Sequence, residues 1–434
     1  MESLQMNIEP QATRTKHARN ALLLSIIPGV GQFYNGQKLK GSMYLILTII
    51  YLATFFQTLN LGFWGLITLG EIPMLDHSIR LLIDGILALL ITVIGLVIYG
   101  INLFDAYQNG KKRDLGIPLN SLREQYQNLI DNGFPYLIIS PGVLLLVFVV
   151  IFPIIFSFLL AFTSYDLYHS PPANLVDWVG LQNFIDIFKI DIWRKTFFNV
   201  FGWTLIWTFA ATTLQVALGI FLAVLVNQKD LKGKAIIRTV FILPWAVPAF
   251  VSILVFSGMF NESFGVINTT ILASLGIDPI SWMTESNWTR LALILIQGWL
   301  GFPFIFAMTT GVLQSISEDL YEAATIDGAN VWQKFRKITL PLVLYATAPI
   351  IITQYTFNFN NFNIIFLFNN GGPAIAGQNA WGTDILISWI YRLTMTAGQY
   401  GKAAAITMIL SLIVMSVALW QFKRTKSFQE EDMM

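Results

Sequence analysis

The chain has 434 residues, of which 55% are apolar and only 12% charged, and its mean hydropathy is +0.63. Soluble domains carry about 25% charged residues, so this composition excludes an ordinary soluble fold and indicates that most of the chain lies in lipid. The net charge of +1 argues against a nucleic-acid partner. Because there is no cysteine and the three histidines lie outside the apolar runs, we expect no metal site and no catalytic centre.

The first element is a short apolar stretch, residues 21–30, which a proline and a glycine interrupt. A helix that crosses a membrane needs roughly 20 apolar residues, so we expect an interfacial or re-entrant segment. Residues 31–38 have the glycine spacing of a phosphate loop, but Gln37 stands where that motif needs lysine. We therefore expect that the chain neither binds ATP itself nor carries a cofactor, and the sequence assigns no role to residues 1–41.

Eight later apolar runs are long enough to cross a membrane. In lipid the backbone must be satisfied within the protein, and runs of more than 20 residues are too long for barrel strands. The runs therefore predict an all-α polytopic membrane protein with about eight transmembrane helices. They cover residues 42–64, 82–104, 135–163, 196–227, 236–260, 289–314, 341–368 and 401–422.

The polar segment 105–134 divides the runs into two groups. It predicts an N-terminal region, residues 1–134, with an interfacial segment and two transmembrane helices, and a core, residues 135–434, with six. Most of the 26 Lys and Arg residues lie in alternate connecting segments, on the same side as the N-terminus. The positive-inside rule then predicts that both chain ends face the cytoplasm.

One cytoplasmic segment, YEAATIDGANVWQKFRKITLP at residues 321–341, combines several helix signals. Ser317 can cap a helix whose first turn is acidic, and Gly328 can adopt the left-handed conformation that ends it. A basic turn follows, and Pro341 opens the next apolar run. We expect a short, exposed helix pair, parallel to the membrane, that passes force between the membrane helices and a soluble partner.

The transmembrane runs of the core have essentially no charged residue at mid-membrane depth. Proton- and sodium-coupled carriers usually need buried carboxylates, so a neutral solute and an external energy source are indicated. Amides and aromatic rings, which suit a sugar, are concentrated in the run 341–368. Its amides could equally be contacts between helices, and this alternative stays open. The amides are Gln354, Asn358, Asn360, Asn361 and Asn363.

These motifs resemble a known family. The segment 321–341 is similar to the EAA loop of ABC importer membrane subunits, in its carbohydrate-importer form. From about residue 135 to 425 the chain resembles the larger membrane subunit of maltose/maltodextrin importers, through stretches such as RTVFILPWAVPAF and FNFNNFNIIFLFNNGGP. The resemblance implies an ABC transmembrane type-1 domain at about 195–421, with its EAA loop at 315–340. The matching EAA positions are Glu322, Ala323, Ala324, Asp327, Gly328, Ala329, Phe335, Ile338, Leu340 and Pro341.

The resemblance also implies which residues act. In that family the transmembrane helices of the core hold the sugar, and the EAA loop couples to the ATPase. Leu300, Gly301, Asn358 and Asn361 agree with the maltose-handling members, whereas the other five sugar positions differ. The implied sugar-binding residues are Trp245, Ala249, Gln297, Leu300, Gly301, Phe304, Gln354, Asn358 and Asn361. The implied coupling residues are Glu322, Ala323, Ala324, Asp327 and Gly328.

The function implied is that of a non-catalytic permease subunit in a bacterial plasma membrane, which passes maltose/maltodextrin-type oligosaccharides into the cytoplasm. Its implied partners are a second homologous permease, two ATPase subunits, an extracellular sugar-binding protein and membrane lipid. Two alternatives stay open: an importer subunit for another neutral sugar or a glycerol-type solute, and an ATPase-independent membrane protein such as a channel or polytopic enzyme. An anionic solute would favour Arg or Lys in the core path, and the sequence has none there.

Overall fold

The structure, a computed structural model, describes residues 16–228 and 231–424. The two chain ends lie outside these ranges, so their cytoplasmic placement stays a prediction. The described residues are helices and connecting segments, with one isolated antiparallel bridge between Thr163 and Trp178. They form two compact units, which divide between Gly180 and Leu181. The boundary that the sequence predicts after residue 134 also stays a prediction.

The first unit is built around two long antiparallel helices of the predicted N-terminal region. A third long helix is continuous through a π-helical turn, Val147–Ile151, which joins α5 to α6. The helices are α1 (His17–Leu24), α2 (Val30–Tyr34), α3 (Lys38–Thr68), α4 (Ser78–Asp114), α5 (Leu122–Leu146) and α6 (Phe152–Leu160).

The short helices α1 and α2 pack against the C-terminal half of α4, and neither is long enough to cross a membrane. Polar groups fix them there. The Asn102 side chain accepts from the Gly29 amide at 3.2 Å and donates to the Ser25 carbonyl at 3.1 Å. The Asp114 carboxylate accepts the first two amide N–H groups of α1, which have no partner within the helix. The segment is thus held by hydrogen bonds to α4, which the sequence did not indicate.

The second unit contains the remaining eleven helices of the described residues. They are α7 (Gln182–Lys189), α8 (Asp191–Val226), α9 (Lys234–Ala246), α10 (Ala249–Met259), α11 (Ser286–Ser315), α12 (Glu318–Ile326), α13 (Val331–Lys334), α14 (Leu340–Phe359), α15 (Phe362–Asn369), α16 (Leu386–Met395) and α17 (Tyr400–Arg424).

Seven helices in the described part of the chain are long and apolar enough to cross a membrane, and the number is eight if α9 and α10 form one broken span. This confirms the predicted all-α fold with about eight transmembrane helices. The run 236–260 is not one straight helix, however, because α9 and α10 meet at 90°. Pro248 is separated from the end of α9 by Val247 alone, and it has no amide N–H to continue the helix. Pro303, in contrast, lies inside the unbroken α11.

The second half of the EAA loop also differs from the prediction. Residues 331–359 form one continuous helix, so the basic turn is the start of a transmembrane helix and not a separate membrane-parallel one. Its π-helical turn, Phe335–Thr339, ends two residues before Pro341, as the turn Val147–Ile151 ends two residues before Pro153. A wider turn relieves the clash between a proline ring and the preceding carbonyl, which explains why neither proline ends its helix.

The core of the second unit lies between α8 and α11. A cluster of buried aromatic and aliphatic residues includes Trp203, Trp207 and Leu293. The two helices approach closely at Gly219, where a Cβ atom would lie 2.5 Å from the Cβ of Ile305. Burial of such large apolar side chains against a neighbouring helix is worth about 1.5–3 kcal/mol each in water, and close van der Waals packing replaces that term in lipid.

Glu262, in the segment between α10 and α11, organises that segment through three hydrogen bonds. Its Oε1 atom accepts from the Met283 amide, the Thr284 amide and the Thr284 hydroxyl, each at 2.8 Å. Burial raises the pKa of Glu262, but these hydrogen bonds outweigh it and leave the pKa below its usual value. The bonds favour the ionised group, so their stabilisation is present above the ordinary pKa of a glutamate and is lost as the pH falls through the lowered value.

We predict that Glu262→Gln speeds hydrogen exchange of the Met283 and Thr284 amides by about tenfold, because hydrogen bonds to a charged acceptor contribute about 1.5–3 kcal/mol and those to an amide less. The measurement is amide exchange by mass spectrometry, corrected for the intrinsic rate at each pH. The wild-type protein should approach the variant only at acidic pH, below the ordinary glutamate value. Equal exchange of the two proteins at neutral pH would contradict this role.

Candidate functional site

Five amide side chains meet in the interior of the second unit, where α8 and α11 contact the end of α14. Gln215 on α8 and Asn358 on α14 are fully buried. Gln297 on α11 is 4% exposed, and Asn361, in the break between α14 and α15, is 8% exposed. The fifth, Gln354, is half-buried. Four of the five are predicted sugar-binding residues, so the structure brings these four together. We call the five side chains the amide network.

Hydrogen bonds connect all five members. The Oε1 atom of Gln215 accepts from Gln297 Nε2 at 3.1 Å and from Asn358 Nδ2 at 3.4 Å. Its Nε2 atom donates to Gln354 Oε1 at 3.1 Å. Asn361 Nδ2 donates to Gln297 Oε1 at 3.2 Å and to Asn358 Oδ1 at 3.4 Å. Burying a polar group in a low dielectric without a hydrogen-bond partner is unfavourable, and these hydrogen bonds offset the unfavourable free energy.

The helix break at residues 360–361 makes this geometry possible. Asn360 ends α14, and Asn361 lies outside both helices with φ at −78° and ψ at 77°. The carbonyl of Asn358 is freed from regular helical bonding, and it accepts the indole N–H of Trp207 at 2.9 Å. Asn358 Nδ2 also donates to Thr212 Oγ1 at 2.9 Å. The run of asparagines therefore both ends a helix and supplies the polar groups of the network.

Gly301 is a predicted sugar-binding residue with a steric role towards the network. A Cβ atom at this position would lie 2.0 Å from Gln215 Oε1 and 3.0 Å from Gln215 Cβ. Real Cβ atoms do not approach side-chain atoms so closely, so glycine is what allows the Gln215 carboxamide to lie against α11. Leu300, the predicted sugar-binding residue next to Gly301 in the sequence, is half-buried and packs on the apolar core.

The other predicted sugar-binding residues form a second, aromatic group. Trp245 is 58% exposed and lies edge-to-face with Phe304, with ring centroids 5.8 Å apart. Ala249 is exposed at the first position of α10, directly after the 90° bend. On α11, Gln297, Gly301 and Phe304 recur at the i, i+4, i+7 spacing of one helix face. This face connects the aromatic group with the amide network.

Sequence reasoning missed Gln215, which has three of the amide-network bonds. A lone glutamine in the apolar run 196–227 was a usable signal, because an unpaired carboxamide in lipid is costly. Its partners lie 82 to 143 residues away along the chain. Their identity could not be read from spacing in the sequence.

The EAA loop lies between α11 and the helix 331–359. Ser317 caps α12 by accepting the Asp319 amide at 3.3 Å, and Gly328 has φ at 77°, both as predicted. Tyr321 fixes α12 to the following helix through a 2.9 Å hydrogen bond between its hydroxyl and that of Thr339. Lys334 Nζ donates to the Thr325 hydroxyl at 2.7 Å.

The opposite side of α12 is exposed. The predicted coupling residues Glu322, Ala323, Asp327 and Gly328 are exposed, and Ala324 is half-buried against the loop. Large apolar side chains are exposed beside them: Ile326 is 87% exposed, Val331 80% and Trp332 64%. An exposed apolar patch next to charged groups is typical of a protein interaction site. We call this surface the coupling face.

Comparison with known proteins identifies the family of the chain. The binding-protein-dependent transport system inner membrane component family matches residues 215–426. The galactooligosaccharides transport system permease protein of Bacillus subtilis is 63% identical over 417 residues, 96% of this chain and 100% of that protein. The maltodextrin transport system permease protein of Streptococcus pneumoniae is 50% identical, over 95% of this chain and 97% of that protein.

The maltose/maltodextrin permease of Salmonella typhimurium matches a smaller part. It is 43% identical over 253 residues, 57% of this chain and 49% of that protein. Among solved structures, a bacterial ABC transporter involved in alginate import aligns with a TM-score of 0.57 and 21% identity, over 70% of this chain and 98% of that one. At this identity the structural likeness supports the fold alone.

The fold and the site define a multi-pass membrane permease of the ABC importer type. The chain belongs to the binding-protein-dependent transport system inner membrane component family, as its full-length similarity to permease proteins shows. It is accordingly a transport subunit of the plasma membrane.

Proposed function

We propose that this chain forms half of a passage for neutral hexose oligosaccharides, with the amide network and the Trp245–Phe304 group as its sugar-binding surface. The single observation that supports this most directly is the network itself: five uncharged hydrogen-bonding side chains gathered where helices from distant parts of the chain meet. An uncharged amide side chain can both donate hydrogen bonds to sugar hydroxyl groups and accept hydrogen bonds from them. A charged solute would instead need a side chain of opposite charge.

In this proposal a second, homologous permease completes the passage, and two ATPase subunits bind the coupling faces on the cytoplasmic side. An extracellular sugar-binding protein delivers the ligand. ATP binding closes the ATPase pair and draws the two EAA loops together. The helix 331–359 is continuous from the EAA loop to the amide network at Asn358, so movement of the loop is transmitted along one rigid helix about 43 Å long.

The bend between α9 and α10 supports the same mechanism. It places the exposed Trp245 and Ala249 on two helices that meet at 90°. A change of the angle between α9 and α10 would move these two residues apart or bring them closer together, and neither helix would have to unwind. Hinges of this kind are a few residues at element ends, and Val247 and Pro248 occupy that position.

Two ligand classes are candidates. Maltodextrins are favoured by the sequence resemblance and by the named substrate of relatives about half identical to this chain. Galactooligosaccharides are the second candidate, because the relative named for them is 63% identical over almost the whole chain. Both are neutral hexose chains, so the amide network alone does not separate them.

Uptake of labelled sugars separates them. We predict that cells lacking this chain lose uptake of maltotriose, that the wild-type gene restores it, and that an ATPase subunit is purified together with the restored protein. Restoration of galactotriose uptake but not maltotriose uptake would assign the second ligand class. Restoration of neither sugar, or purification without any ATPase, would contradict an ATP-driven oligosaccharide permease. A charged sugar such as glucuronate serves as the negative control.

A further inference from the structure

A cavity lies at the end of the core that is away from the EAA loop. It has a volume of about 380 Å³ and is formed by the first half of α8, the start of α11 and the segment between α15 and α16. Since α11 begins beside this cavity and ends at the EAA loop, about 45 Å of helix separates the two. The residues that matter here are Asn199, Trp203, Arg290, Gln378, Trp381 and Asp384.

The wall contributed by the segment after α15 is held firmly. The Asp384 side chain is fully buried, and its carboxylate accepts from the Trp381 amide at 2.8 Å, the Ser388 hydroxyl at 2.8 Å and Arg392 Nε at 2.9 Å. The Arg392 guanidinium stacks on the Trp381 ring, 3.7 Å from its centroid. A Cβ atom at Gly371 would lie 2.2 Å from Asp384 Oδ1, so glycine is required for this packing.

Arg290 is fixed in the opposite wall. Its Nε atom donates to the Gly382 carbonyl at 2.9 Å, and its guanidinium lies 4.6 Å from the centroid of the Trp203 ring. Trp203 in turn donates its indole N–H to the Thr383 carbonyl at 3.1 Å. Within the residues that the structure describes, no carboxylate forms an ion pair with Arg290, and its terminal nitrogens make no hydrogen bond.

Two amide side chains complete the polar lining. Asn199 is exposed and Gln378 is half-buried, and neither side chain makes a hydrogen bond in the described part of the chain. The cavity therefore presents two free carboxamides and the free end of a positioned guanidinium, beside two indole rings that each have a guanidinium over one face. The volume falls within the roughly 300–1,000 Å³ range of small-molecule sites, and a cavity of this kind is preorganised, because its walls are already bonded to each other.

We propose that this cavity binds one pyranose unit of a neutral oligosaccharide, as a site separate from the amide network. Carboxamides and a guanidinium supply the donors and acceptors that ring hydroxyls need. The identity of the sugar rests on the proposed function, whereas the existence of the site rests on the cavity alone. The position, at the end of the core opposite the EAA loop, suits a first contact before the sugar reaches the amide network.

The test uses the assembled transporter in lipid nanodiscs without ATP, with glucose, glucuronate, maltotriose and galactotriose as probes and isothermal calorimetry as the measurement. The double variant Asn199→Ala/Gln378→Ala should weaken binding at this site by at least about tenfold, since each lost hydrogen bond is worth about 1 kcal/mol. The matched control is Gln182→Ala, an exposed amide on α7 outside the cavity, which should bind like the wild type. Both variants are repeated with Asn361→Ala, so that binding at the amide network does not mask the result.

Unchanged affinity in the double variant would overturn the proposal. Tighter binding of glucuronate than of glucose would also overturn it, because Arg290 would then bind an anion. Loss of complex assembly in the double variant would overturn it as well, because the cavity would then be a contact between proteins. Sugar uptake distinguishes this failure from failure of the proposed function. If the double variant raises the apparent KM for uptake about tenfold with an unchanged maximal rate, both proposals hold, whereas absent uptake in the wild type contradicts the proposed function alone.

Discussion

Ala323→Trp is expected to abolish sugar-stimulated ATP hydrolysis while the subunit still inserts in the membrane. Ala323 is exposed at the centre of the coupling face, and the small side chain permits close approach of a partner. An indole there would hold a docked ATPase away from α12 and so remove the close contact through which the proposed coupling acts. The measurement is ATPase activity of the reconstituted transporter with and without sugar, together with the amount of ATPase that is purified with the permease.

The matched control is Ala273→Trp, which places the same side chain at an exposed alanine of the segment between α10 and α11. This variant should retain stimulation, which separates a docking defect from general damage by an exposed tryptophan. Normal stimulation in Ala323→Trp would show that α12 does not bear on the ATPase, and the proposed coupling would fail.

Gly328 tests the shape of the same loop by a different physical effect. Its φ of 77° lies in the left-handed region, and no atom lies within 4 Å of an added Cβ, so only backbone strain opposes a substitution. Gly328→Val should therefore lose most stimulation, because a β-branched residue in this region is strained by about 1–3 kcal/mol. Gly328→Asn should retain most of it, since asparagine tolerates this conformation. Equal activity of the two variants would exclude a role for the turn geometry.

The transmembrane helices were predictable because lipid leaves few alternatives. A long apolar run must form a helix whose backbone is satisfied internally, and the eight runs correspond to the seven long helices and the bent pair of the described residues. The signals at the EAA loop were equally local: a capping serine, an acidic first turn and a glycine. Each acts within four residues of its own position, so each can be read from the sequence alone.

The sequence left open how far each proline bends its helix and which polar groups meet. Pro248 accompanies a 90° bend and Pro303 lies in an unbroken helix, although both stand in apolar runs. The outcome depends on whether neighbouring turns can widen to accommodate the ring, as at Pro341, and this depends on packing. The sequence showed that Gln215 is a polar residue in an apolar run, but it did not show which residues contact it. Contacts between helices depend on the rotation of each helix about its axis and on its shift along its neighbour, and apolar runs do not specify either.

Gln215→Leu is expected to lower sugar uptake by at least about tenfold, with the EAA loop and its ATPase still bound. Leucine is similar in volume, but it removes the acceptor for Gln297 and Asn358 and the donor to Gln354. Each buried amide left unpaired costs about 1–3 kcal/mol in water-soluble proteins, and hydrogen bonds between membrane helices average about 0.6 kcal/mol. The loss is therefore large enough to disorder the network but too small to prevent insertion of the long helices.

The measurement is uptake of labelled maltotriose and galactotriose by membrane vesicles, with the amount of inserted subunit and bound ATPase determined in the same samples. Gln314→Leu, an exposed amide at the end of α11, makes the same chemical change outside the network and should leave uptake near the wild-type level. Asn361→Ala removes a donor to Gln297 and Asn358 without touching Gln215, so it should reduce uptake in the same direction. If both network variants transport normally, the five amides serve only as contacts between helices. Loss of insertion in Gln215→Leu would lead to the same conclusion, because the network would then be needed to build the subunit and not to pass the sugar.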